Sequence, residues 1–310
     1  MERKPFNQRK KKQTIFYYSM IVLPIIQFCI FYIYANSNMF ILAFQKYENK
    51  VGALGYDITF AGFDNFKTAW GYISEHAFMI TNALEAFLLC TLLAMALALL
   101  FSYYIYKRYP MHGLFRVILF MPQIISSVVF VMLFKYIATD VYVYIVEKLT
   151  GETVLGLLDK VETRKITVFF YCVYHGFGAN VLLFGGAMAG INDSVVESAK
   201  MDGANTLQEL WHITLPMIFP TIRSFVIIGV SGILTNQLAL HTFFGGDAGD
   251  LATIGYTIYI QSVASGLIAP NNTMLSYAEL SAMGVMFSCV MLIVITVLKK
   301  LMTKFGPSVD

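Results

Sequence analysis

The stretch ESAKMDGANTLQELWHITLP, Glu197 to Pro216, carries four charged side chains, Glu197, Lys200, Asp202 and Glu209, and sits between two long apolar runs. A polar insert of this kind lies either at the surface of a soluble core or outside a membrane, and composition chooses between them. The chain has 310 residues, 57% of them hydrophobic and only 13% charged. Its mean hydropathy is +0.65. Soluble domains average about 25% charged residues, so the expectation is an all-α integral membrane protein. The 15% of aromatic residues suits interfacial belts of Tyr and Trp.

Working outward, six apolar runs approach or exceed the roughly 20 residues that cross about 30 Å as a helix. They lie near Ile15–Tyr34, Ala83–Tyr106, Leu114–Ile137, Ile166–Ala189, Met217–Leu240 and Tyr277–Leu298. Runs such as FLLCTLLAMALALLF lack the period-two alternation of a β-barrel. The first run is longer than the core of a signal peptide, and the YANSN that follows is a poor cleavage site, so it reads as an uncleaved span. Cys29, Cys90, Cys172 and Cys289 are far apart inside apolar runs. That spacing points to packing residues and to no metal site or disulfide framework.

Charge sets the direction. The N-terminal tail holds Arg3, Lys4, Arg9, Lys10, Lys11 and Lys12 against Glu2, and directly precedes an apolar span, so it reads as a cytoplasmic anchor and not a nucleic-acid arm. Lys107, Arg108 and Arg116 lie between spans two and three, and Lys299, Lys300 and Lys304 follow span six. The loop after span five has only Asp247 and Asp250. Both termini are therefore expected in the cytoplasm. The expected organisation is a basic tail over 1–14, the first span and an extracytoplasmic segment over 15–80, a five-helix core over 81–300 containing an inner loop at 191–216, and a short tail over 301–310. That inner loop breaks the basic pattern, with Asp193, Glu197, Asp202 and Glu209 against Lys200.

The loop reads as helix, turn, helix. SVVE (Ser194–Glu197) and TLQE (Thr206–Glu209) both match a capping box, Gly203 can end the first helix in a left-handed conformation, and Pro216 can open the next span. Each helix is about two turns long, too short to persist in water alone. Val196 and Ala199 on one, and Leu207, Leu210 and Trp211 on the other, need something to pack against. Either the chain's own inner helix ends or a cytoplasmic partner can supply it.

The pattern E-x-A-x-x-x-G-x9-I-x-L-P, here Glu197, Ala199, Gly203, Ile213, Leu215 and Pro216, resembles the EAA loop of ABC-importer permeases, with Ser198 where a second Ala is usual. GFDNFKTAW, FRVILFMPQIISSVVF and TIGYTIYIQS resemble segments of the carbohydrate-uptake branch, the maltose-permease type, although FGGD stands where many members have GGP. The resemblance implies the type I ABC importer permease fold. It further implies that Glu197, Ser198, Ala199, Asp202, Gly203, Ala204, Ile213, Leu215 and Pro216 form the surface that couples to an ATPase, with Glu197 facing that subunit's basic side chains. The implied partners are a cytoplasmic ATPase dimer, a second permease and an extracytoplasmic substrate-binding protein, in a bacterial plasma membrane. ATP and magnesium would belong to the ATPase, and no cofactor to this chain.

The sequence contains no G-x-x-x-x-G-K-[ST], and the dipeptide Gly-Lys never occurs, so no nucleotide-binding P-loop is present. Glu85, Lys135, Arg223 and Glu279 fall near expected span ends, where they can snorkel or line a pathway. No expected span has an Asp or Glu near its middle, which argues against a proton- or sodium-coupled transporter. Polar groups remain at His175 and Asn180 on span four and at Ser231, Thr235, Asn236 and Gln237 on span five, with Ser231 and Thr235 sharing a helix face. By resemblance these helices line the substrate cavity, and neutral donors and acceptors suit a sugar. The same groups can instead bond across helices. Tyr171, Tyr174 and Phe177 can stack on sugar rings or pack at the interface, and the GxxxG spacing within GGAMAG allows close helix approach. Two other classes compete: a stand-alone secondary transporter or channel, and an intramembrane serine protease built on GVSG (Gly229–Gly232), for which span six offers no histidine base.

Overall fold

The computed structural model describes residues 6–49, 55–269 and 274–307. Arg3 and Lys4 of the basic tail, and Asp310, lie outside them. Among the described residues, five helices are long and apolar enough to cross a bilayer, and a sixth crossing is formed if one bent pair counts as a single span. The chain divides into two units, Met1–Ser74 with Ala264–Ser288, and Glu75–Val263 with Cys289–Asp310.

In the first unit, α1 (Lys10–Ala43) is longer than the expected Ile15–Tyr34. Its polar YANSN stays helical, with Asn36 Nδ2 donating to the Tyr32 carbonyl at 2.7 Å, and a π-helical stretch occupies Cys29–Tyr34. The apolar window of α1 buries nothing inside the chain, as expected of a helix whose solvent is lipid or a partner. A hairpin of β1 (Gln45–Asn49) and β2 (Tyr56–Phe60) follows, antiparallel with Gln45 opposite Phe60, and then α2 (Asp64–Glu75). Asn65 on α2 donates to the carbonyls of Ala43 and Gln45, both at 2.9 Å, and so ties the hairpin to the end of α1. Ala43, Ala282 and Val285 form a small core with Met39, Phe44 and Phe66 around them.

The second unit is built on α3 (Phe78–Tyr106) and α6 (Val161–Ala189), which pack along much of their length. Buried Ser102 donates to the Val181 carbonyl at 2.8 Å, so a polar atom is satisfied within an otherwise apolar seam. The expected span Leu114–Ile137 is corrected. The run divides into α4 (His112–Ile124) and α5 (Ser127–Thr150), and only α5 is long enough to cross. Pro122 removes a helical N–H, and Ile125 and Ser126 are extended (ψ 141° and 131°), while every residue there but Gln123 is apolar or small. α4 lies so close to α6 that a Cβ at Gly178 would overlap the Leu119 carbonyl.

The shifted boundary brings Asp140, Glu147 and Lys148 into the span that already held Lys135, and Asp140 near its middle corrects the expectation that no span has an Asp or Glu there. Lys135 and Asp140 both lie within α5. The chain after α5 doubles back: Leu157 N–H donates to the Ala138 carbonyl at 2.9 Å, and Thr163 hydroxyl to the Leu157 carbonyl at 2.7 Å. Asp140 is thus level with the start of α6, and the last turns of α5 extend beyond it. Lys135 does not simply snorkel, since its ammonium donates to the Phe243 carbonyl at 2.6 Å. Arg223 reaches Thr303 at 3.3 Å, and in the first unit Glu279 accepts from Ser276 N–H at 2.7 Å, capping α12 (Tyr277–Phe305).

The expected span Met217–Leu240 is also corrected. α8 (Thr206–Met217) and α9 (Phe219–Ser231) meet at 69° around Ile218. Pro216 continues α8 instead of opening the next span, and Pro220, four residues on, occupies the first turn of α9. After Ser231 the helix ends, so Thr235, Asn236 and Gln237 lie in a turn and Thr235 shares no helix face with Ser231. Leu238 and Ala239 adopt left-handed backbone (φ 51° and 56°) before the short α10 (Leu240–Phe244). α11 (Ile254–Ala264) clamps this turn. Thr253, just before it, donates to the Asn236 carbonyl at 2.8 Å, and a Cβ at Gly255 would lie 2.5 Å from the Thr235 carbonyl.

Candidate functional site

The polar elbow joins α6 to α9 through α7 (Asp193–Met201) and α8. Its caps lie one or two residues before the expected ones. Asn192 accepts from Ser194 N–H at 3.1 Å, and Asn205 with Gln208 forms the reciprocal box, both bonds at 2.9 Å. Ser194 and Thr206 are therefore inside the helices and cap neither. Gly203 has φ +80°, and Ala204 N–H returns to the Ala199 carbonyl at 3.0 Å, closing α7 with the left-handed turn that its glycine predicts.

The inward face of the elbow packs on the chain itself. Val196 joins Phe184, Met188, Ile191, Leu210 and Ile218 in one apolar cluster, and Ala199 is buried as well. Of the three residues expected to share a buried face on the second helix, only Leu210 is buried. Leu207 and Trp211 are 66% and 65% exposed, and Met201 is 87% exposed. Glu197, Ser198, Asp202 and Gly203 face solvent beside them, while Ala204, Ile213, Leu215 and Pro216 are half-buried. Glu197 has no ion-pair partner among the described residues.

One acid of the elbow is not on its surface. Glu209 is 3% exposed, and its carboxylate meets the ammonium of Lys107, just beyond α3. Tyr103 hydroxyl adds a bond to the Thr206 carbonyl at 3.0 Å. A charge pair in this setting is favourable only if both ions stay paired, so it holds α8 on the end of α3. Sequence reasoning counted Glu209 among the acids of the loop and as the second half of a capping box with Thr206. Nothing local marks it as buried, because its partner is 102 residues away.

The six polar residues expected to line a pathway do not form one cluster. His175, half-buried on α6, stacks on Tyr171 at 5.6 Å and lies 5.7 Å from Phe130, while its carbonyl accepts from Gln123. Asn180 is half-buried on the same helix. Ser231, Thr235 and Asn236 are exposed at and beyond the end of α9, with Gln237 half-buried in the turn. Ser231 hydroxyl donates to the Ile228 carbonyl at 2.7 Å, and no hydrogen bond joins it to a histidine among the described residues, so the protease reading gains no dyad here. Tyr171 and Phe177 are buried in packing; Tyr174 is half-buried and stacks on Phe170.

A second constellation was not anticipated. Near the start of α3, buried Asn82 donates to the carbonyls of Asp250 and Ala252 at 2.7 and 2.9 Å and accepts from Lys165 at 3.0 Å. Lys165 also pairs with Glu85, and Arg164 with Asp250. Glu85 is thus half of an ion pair between α3 and α6, not a snorkelling side chain. No group of His, Cys, Asp and Glu that could hold a metal ion occurs among the described residues.

Residues 91–310 match the family described as binding-protein-dependent transport system inner membrane component. A multiple sugar-binding transport system permease protein, MsmF of Streptococcus mutans, is 24% identical over 81% of this chain and 86% of its own. The arabinooligosaccharides transport system permease protein AraP of Bacillus subtilis is 24% identical over 67% of this chain and 65% of its own. Among solved structures, a chain of a bacterial alginate ABC transporter, in complex with an alginate pentasaccharide-bound periplasmic protein, superposes with a TM-score of 0.75. It is 20% identical, and the match covers 96% of both chains, so the fold is shared along nearly the whole length. With the elbow motif inside the matched region, this chain belongs to the inner membrane components of binding-protein-dependent transport systems.

Proposed function

We propose that this chain is the permease subunit of an ATP-driven importer of a sugar or oligosaccharide, and that the α7–α8 elbow is where a partner ATPase docks. The observation that carries this reading is the two-sided elbow: Leu210 and Val196 are buried and Glu209 is paired with Lys107, while Met201, Leu207 and Trp211 project beside an unpaired Glu197. A short helix held this firmly on one face and left apolar on the other suits a protein partner, with Glu197 meeting a basic side chain there. The basic residues at Lys107–Arg116 and after α12 support a cytoplasmic position for the elbow.

Nucleotide and magnesium belong to the ATPase in this scheme, and the permease performs no chemistry. Closure of the ATPases moves the elbow, and the Lys107–Glu209 link passes that movement to α3. A second permease completes the pathway, and a binding protein delivers substrate from outside. Relatives named for sugar and arabinooligosaccharide transport support this substrate class, and the neutral groups at His175, Asn180, Ser231, Thr235, Asn236 and Gln237 suit hydroxyl-rich ligands.

The test is uptake together with co-purification. Glu197→Lys and Gly203→Leu are expected to abolish uptake and to lose the ATPase on purification, with normal amounts of chain in the membrane. Wild-type uptake by both variants defeats the docking reading.

A further inference from the structure

Beneath the elbow lies a cavity of about 680 Å³ that the transport scheme does not use. It opens among the end of α3, the start of α4, the last turns of α6, and α7. Four cations line it, Lys107, Arg108, Arg116 and Lys200, with Asp193 as the one carboxylate. Lys107 is committed to Glu209. Arg108, Arg116 and Lys200 are exposed, and none has a side-chain hydrogen bond or ion pair among the described residues. Arg108 sits in left-handed backbone (φ 53°) that a non-glycine residue rarely adopts.

The other wall is apolar. Val181 and Val196 are buried in it, and Gly185 and Gly186 have nothing within 4 Å of where a Cβ would stand. On α6 the lining runs from Val181 to Ala189, which is about 12 Å along the axis at 1.5 Å per residue. The headgroup layer on one side of a bilayer is only about 5–8 Å thick. The cavity has cations at one end and a glycine-floored slot along the other, and with its cationic end among the headgroups its length reaches into hydrocarbon.

We propose that this cavity binds an anionic phospholipid, its phosphate among Arg108, Arg116 and Lys200 and an acyl chain along Gly185 and Gly186. The charge complements a phosphate, and the apolar depth fits an acyl chain, which a soluble anion lacks. Only the assignment to the inner leaflet rests on the orientation proposed above. A lipid seated there touches α7 and the α3 end together, so it braces the elbow's anchorage.

The assembled transporter, purified in neutral detergent, is mixed with phosphatidylglycerol, with phosphatidylcholine of the same chains, or with inorganic phosphate, and retained lipid is counted by native mass spectrometry. Phosphatidylglycerol is expected to be retained preferentially, with retention falling about fivefold for each of Arg108→Gln, Arg116→Gln and Lys200→Gln. Gly186→Leu fills the slot without altering charge and is expected to expel the lipid. Equal retention of the two lipids, or a preference that survives the triple substitution, overturns the proposal. Displacement by inorganic phosphate with no effect of Gly186→Leu assigns the cavity to a soluble anion and overturns it as well. Arg116→Gln is expected to lower lipid retention while the ATPase still co-purifies, whereas Glu197→Lys loses the ATPase, so the two failures are separable.

Discussion

The two ends of α3 are secured by opposite means. Beyond its last residue, Lys107 meets the buried Glu209 in one ion pair, and the elbow that this pair holds turns apolar side chains outward. Near its start, Asn82 uses both amide hydrogens on backbone carbonyls of the loop at Asp250–Ala252, and the surrounding charges are paired among themselves. The first arrangement concentrates anchorage in one interaction and leaves a surface free for another chain. The second spreads it over several short bonds and holds a loop shape. An element that transmits a push needs a stiff single linkage, whereas an element that keeps a passage open needs many small constraints.

Removing one half of the ion pair is the sharpest way to break the comparison. Glu209→Gln leaves the half-buried Lys107 ammonium beside a neutral amide, which is expected to cost somewhat less than the about 3–5 kcal/mol of a fully buried pair that loses one partner. The expected outcome is a lower denaturation midpoint and lost uptake. Lys107→Met with Glu209→Met removes both charges and is expected to recover most of the stability, because apolar replacement of a buried pair is often neutral. Uptake reports whether the link transmits force. If the double variant is stable and still transports at the wild-type rate, the pair is only structural.

At the opposite end, Asn82→Leu is the matching experiment. It leaves the carbonyls of Asp250 and Ala252 without their donors, and Lys165 loses one of its two acceptors. One buried and one part-buried bond correspond to about 1–3 kcal/mol. The loss is expected to be local. Hydrogen exchange should rise across 245–253, while co-purification of the ATPase stays intact. Loss of the ATPase in this variant removes the distinction between the two ends.

What was legible in the sequence follows from range. Four of the six apolar runs are helices at close to their expected positions, because length and apolarity are local properties. The two corrected runs fail for the same reason as each other. Through Pro122, Ile125 and Ser126 composition stays membrane-like, yet the backbone extends, and hydropathy has no view of backbone angle. The end of α9 is decided by Thr253 and Gly255, which clamp Asn236 and Thr235 from nearly twenty residues downstream. Within the candidate site, Gly203 was readable from its residue type. The burial of Glu209 was not, since its partner belongs to another helix.

The smallest effect concerns the caps, where two overlapping readings competed. Thr206 with Glu209 fits a capping box, and so does Asn205 with Gln208, one residue earlier. The structure takes the second, which leaves Glu209 at the following position, free to turn inward to Lys107. Cap choice and ion pair are therefore one decision: a start at Thr206 would commit the Glu209 carboxylate to backbone. Asn205→Ala is expected to cost about 1 kcal/mol. Thr206→Ala, at a position that caps nothing, should gain a few tenths of a kcal/mol in helix propensity, offset in part by loss of its exposed 3.3 Å contact with the Tyr109 hydroxyl. Thermal denaturation of the two variants side by side separates the readings, and a larger loss in Thr206→Ala would return the cap to Thr206 and detach Glu209 from its role.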